Sequence, residues 1–71
     1  MTFKQFTEMA LSNDIICIVD DIVSGTVQKQ KAAFRYLTDN DKELNMLVDR
    51  FTPVKNPKTN HIYIFVSLKA V

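Results

Sequence analysis

Residues 61–68 read His-Ile-Tyr-Ile-Phe-Val-Ser-Leu, and no other stretch constrains the fold as tightly. The run is β-branched and aromatic and follows a cluster of turn formers, Asn56-Pro57-Lys58-Thr59-Asn60, so it reads as a strand. Alternate residues of a strand face opposite sides, which puts Tyr63 and Phe65 on one face and Ile62, Ile64 and Val66 on the other. Both faces are therefore apolar. Such a strand needs cover twice, from a partner subunit, from an N-terminal helix, or from a central place in a sheet that also takes in residues 15–19.

A chain of 71 residues is one domain, and at that size only roughly 60–65% of the unfolded surface is buried on folding. Small domains supplement such a core with disulfides, a metal or self-association. Cys17 and His61 are the sole members of their types, with no CxxC or HxxxH spacing, so neither disulfide nor metal is expected and association remains. A homodimer is the expected state. The longest apolar runs, 15–19 and 62–66, are far shorter than the 18 or so residues a membrane span needs. With neither secretion nor myristoylation signal after Met1-Thr2-Phe3, a cytoplasmic address is expected.

Thr2 and Gln5 have capping-box spacing, and Phe3, Phe6 and Ala10 follow at helical intervals, predicting a helix over 2–11. Ser12-Asn13-Asp14 is a second cap cluster. Ile15, Ile18, Val19, Ile22 and Val23 fit a helix ending at Gly25, while 15–19 equally fits a strand buried on both faces. Thr26 caps a predicted third helix, with Val27, Ala33, Phe34 and Leu37 inward and fading near Thr38. Asn40 with Glu43 starts a fourth, in which Leu44, Leu47, Val48 and Phe51 recur at intervals of three, one and three until Pro53 bars continuation. Residues 52–68 then form a hairpin with a short first strand. The expected fold is α+β, three to four short helices followed by a C-terminal β-hairpin. The other arrangement is a small α/β sandwich with strands 15–19 and 61–68 central.

The net charge of +1 hides alternating segments: −3 over 1–24, +3 over 25–38, −2 over 39–50 and +3 over 51–71. Catalysis finds little support. Asp20-Asp21 reads as a solvated pair, Cys17 between Ile16 and Ile18 as a packed thiol, His61 as a strand flank, and Ser24-Gly25-Thr26 lacks the glycines of a phosphate loop. No enzyme activity, cofactor, small-molecule substrate or membrane partner is expected.

The order of elements from Ile15 to Leu68 resembles the winged helix-turn-helix family, and residues 52–56 with 62–65 look like the wing of small phage excisionase-type proteins. The resemblance implies a phage- or plasmid-type regulator, with a helix pair on the DNA major groove and the hairpin as wing. The pair is either 27–37 with 40–49, whose reader carries Asp39, Asp41, Glu43 and Asp49 against the phosphates, or 15–24 with 26–37. Gln28, Lys29, Lys31 and Arg35, with Lys55 and Lys58 at the hairpin, are the expected nucleic-acid contacts. The competing expectation is an inhibitor or adaptor docking on a host protein through Asp41, Glu43 and Asp49, with Tyr63 and Phe65 in a protein interface.

Overall fold

A computed structural model of the chain describes residues 1–11, 13–39 and 41–70. Helix α1 (Phe3–Met9) begins with the capping box read from the sequence. The Gln5 amide donates to Thr2 Oγ1 at 3.2 Å, and the Thr2 amide donates to Gln5 Oε1 at 3.0 Å. The caps expected at Ser12 and Asn40 lie outside the described residues.

Beyond α1 the helical expectation holds only for the second half of the third helix, from Ala33. The elements are β1 (Ile15–Val19), β2 (Val27–Ala32), α2 (Ala33–Asp39), a 3₁₀ turn at Lys42–Asn45, β3 (Leu47–Lys55) and β4 (Ile62–Lys69). The described residues thus hold two short α-helices and a four-stranded mixed sheet, not three to four helices ahead of a hairpin. Residues 15–19 form a strand because four of five are β-branched and both edges find partners, β2 antiparallel and β4 parallel. Residues 27–32, expected to open a helix, are extended. Their polar side chains alternate, so Lys29 and Lys31 share one face of an edge strand while Gln30 takes the other.

The expected fourth helix is a 3₁₀ turn followed by the nine-residue β3, which runs through Pro53. Proline cannot donate to a ladder and is tolerated on an edge strand, which β3 is. Gly25, expected as a helix end, lies at φ 68° in the β1–β2 connection, a left-handed conformation that side chains resist. In the hairpin turn the Lys58 amide donates to Asn56 Oδ1 at 2.9 Å, and Asn60 adopts φ 61°.

The strand order is β2-β1-β4-β3, so residues 15–19 and 62–69 hold the two central places, the placement named above as the other arrangement. One face of the sheet carries Ile16, Ile18, Val66 and, partly buried, Ile64, Leu68 and Val48. Against it pack Phe3 and Phe6 of α1, Ala33 and Tyr36 of α2, and Leu44 of the 3₁₀ turn. Phe3 meets the Tyr36 ring edge-on at 5.1 Å, and the fully buried Tyr36 hydroxyl donates to the Ile16 carbonyl at 3.1 Å. The shortest dimension across the Cα positions, 17 Å, has room for one sheet and one helical layer. The molecule is a two-layer α/β structure.

Candidate binding surface

The lysines of β2 do not form an open basic patch. Lys31 Nζ lies 2.9 Å from Asp39 Oδ2 and 2.8 Å from Asp41 Oδ2. Lys29 Nζ lies 3.5 Å from Asp41 Oδ1 and 3.3 Å from Glu43. Two ammonium groups meet three carboxylates, so the cluster carries a net −1 (2 − 3). Hydrogen bonds from Lys31 hold the Asp41 carboxyl below its ordinary range, and bonds to Asp41 and Asp39 hold the Lys31 ammonium above its own. The Lys31 ammonium also sits 5.4 Å from the centre of the Tyr36 ring.

The other residues expected at a nucleic acid are dispersed. Gln28 donates to Asp20 Oδ2 at 2.6 Å, and Arg35 is exposed on α2. Lys55 and Lys58 are exposed beside the hairpin turn, on the edge opposite β2. Three strand spacings of about 4.8 Å separate the two edges, roughly 14 Å in all. No helix pair suited to a DNA groove occurs at 15–24, 26–37 or 40–49 among the described residues. Of the acidic docking residues, Asp41 and Glu43 are occupied by lysines and only Asp49 stands exposed, at an irregularity in β3.

The second face of the sheet is built differently. The strand register sets three rows across it: Ala32, Ile15, Tyr63, Val54; then Gln30, Cys17, Phe65, Thr52; then Val27, Val19, Ser67, Arg50. Leu47 and Lys69 follow at one corner. Cys17, Val19 and Ser67 are buried, Tyr63 and Phe65 are partly exposed on a central strand, and Val27 and Val54 are open on the outer ones. Arg50 and Lys69, both exposed, are cations of this face, and the exposed Asp49 lies next to Arg50 at the irregularity in β3. Two aromatic rings two residues apart, with two cations further along the same face, have the chemistry to stack on planar groups and to attract anionic ones.

No reactive group accompanies it. Burial pushes the Cys17 thiol upward, away from the nucleophilic thiolate. His61 is exposed ahead of β4, and the described residues contain no group of three or more His, Cys, Asp or Glu placed to hold a metal. No helix among them is long and apolar enough to cross a membrane.

Tyr63 and Phe65 were legible as one face of one strand. Arg50 was not, because it was read into a helix. The missed signal was its alternation with Thr52 and Val54. Compared with known protein families, curated proteins and solved structures, the chain matches none.

Proposed function

We propose that this chain is a non-enzymatic binding protein whose ligand is single-stranded nucleic acid, held on the open face of the sheet. The observation that carries the reading is the pair Tyr63 and Phe65 on a central strand, with Arg50 and Lys69 on the same face toward the end of that strand. Each ring takes one base by stacking, which every base permits, and the two cations follow the phosphates. Duplex DNA fits less well, since the lysines expected to meet it are spent on Asp39, Asp41 and Glu43.

Fluorescence anisotropy with a labelled oligothymidylate, over a series of salt concentrations, tests the reading. Tyr63→Leu and Phe65→Leu keep apolar bulk but remove the ring, and each should cost about 1–3 kcal/mol of binding. Arg50→Gln and Lys69→Gln should each lower the salt slope by about 0.7. Equal affinity for a duplex, or leucine variants that bind like the native chain, would refute the proposal.

A further inference from the structure

Eight large apolar side chains stand exposed among the described residues, and four of them, Met1, Met9, Leu11 and Phe51, converge on one groove. It lies on the helical side of the sheet, between the end of α1 and strands β3 and β4, so it is separate from the surface bearing Tyr63 and Phe65. Phe6, Ala10, Pro53 and Ile64 complete its apolar walls, and Phe6 and Phe51 meet at 5.1 Å. Met9 is 72% exposed and Leu11 69%, a poor use of apolar surface in a chain with so little core. The volume, about 290 Å³, is at the lower edge of small-molecule pockets, roughly 300–1,000 Å³, and suits the side-chain anchors of a peptide.

The one charged side chain of the lining, Asp14, decides the kind of peptide. Asp14 accepts the Leu11 amide at 3.3 Å on Oδ2 and has no cationic partner among the described residues. A second copy docked groove to groove would bring two Asp14 carboxylates into one apolar seam, where like charges repel with little screening. A basic partner removes that cost. We infer that this groove binds a segment of another protein with large apolar anchors beside a lysine or arginine that pairs with Asp14. Flexible methionine walls suit such a segment because they repack around different side chains.

The test uses a fluorescein-labelled amphipathic helix of leucine and lysine, and its twin with glutamine for every lysine. The lysine peptide should bind at least about tenfold more tightly than its twin. The double substitution Met9→Ser with Leu11→Ser, at two exposed positions, should weaken both peptides by a similar factor. Asp14→Asn keeps the acceptor for the Leu11 amide, and should erase the preference between the peptides without abolishing binding. Methionine methyl resonances of the native protein should shift on titration, which reports the site directly. Equal affinity for the two peptides, binding untouched by the double substitution, or no binding at all would overturn the inference. So would self-association that the same double substitution dissolves. None of these outcomes bears on oligonucleotide binding, which uses the other face.

Discussion

Lys31 stands where two helical expectations and one strand meet, and its partners account for much of the local geometry. Its ammonium joins β2 to the end of α2 and to the 3₁₀ turn through Asp39 and Asp41. Because the Asp41 carboxyl is held below its ordinary range, its contribution to stability is present above that range and is lost as pH falls through the depressed value. Because the Lys31 ammonium is held above its ordinary range, its contribution is present at neutral pH and is lost as pH rises through the raised value. Thermal melts should therefore show a plateau with one acid and one alkaline limb, and Lys31→Met should shrink both. Superimposable pH profiles of the two proteins would show that the pairing adds nothing. Tyr36 is a separate case, because its hydroxyl is buried and its one recorded bond goes to the Ile16 carbonyl. Tyr36→Phe should cost about 1 kcal/mol in denaturant unfolding, the usual net value of such a bond, and a change near zero would mean that the bond contributes nothing net.

The element most misread from the sequence is β3, and the reason is a β-bulge. The register shifts between Val48 and Arg50, so Asp49 is an extra residue in the strand. Val48 pairs with Leu68 and Phe51 with Val66, which places Val48 and Phe51 on the same core-directed face although they are three apart. Three is a helical interval, and the bulge imitated a helix in the pattern of apolar residues. Residues 27–32 misled for another reason: their inward positions are lysines, whose charges are met by carboxylates from 39–43, a long-range pairing that no local pattern reveals. By contrast α1 was legible through its capping box, and β4 through its alternation, because both signals are local. Asp49→Ala should leave stability within about 0.5 kcal/mol. Deleting Asp49 closes the ladder into regular register, with Val48 still opposite Leu68 and Arg50 still opposite Ser67, so both faces are kept and the loss should stay below the burial of one valine, about 1.5–3 kcal/mol. A deletion that costs as much as a buried valine would mean that the strand needs the bulge itself to keep Val48 on the core face.

At the scale of the molecule, one sheet separates two kinds of surface. The helical side holds the core, the lysine–carboxylate cluster and the apolar groove around Met9. The other side carries Tyr63 and Phe65 with Arg50 and Lys69. The edges are unequal too: β3 is met at its start by an isolated bridge from Thr2 to Leu47, and Pro53 interrupts its remaining donors. Charge summed along the sequence concealed this arrangement, because segments of opposite sign fold onto each other and cancel, while Arg50, from a segment that sums to −2, ends up on the face of Tyr63 and Phe65.

The claim that this second face binds single-stranded nucleic acid is tested most directly by amide chemical-shift mapping with an oligothymidylate at low salt. The account predicts shifts centred on Tyr63 and Phe65 and extending to their row neighbours Thr52, Cys17, Ile15 and Val54, with Met9 and Leu11 unmoved. Shifts confined to the surface of Lys29, Lys31 and Arg35, or none at millimolar oligonucleotide, would contradict it.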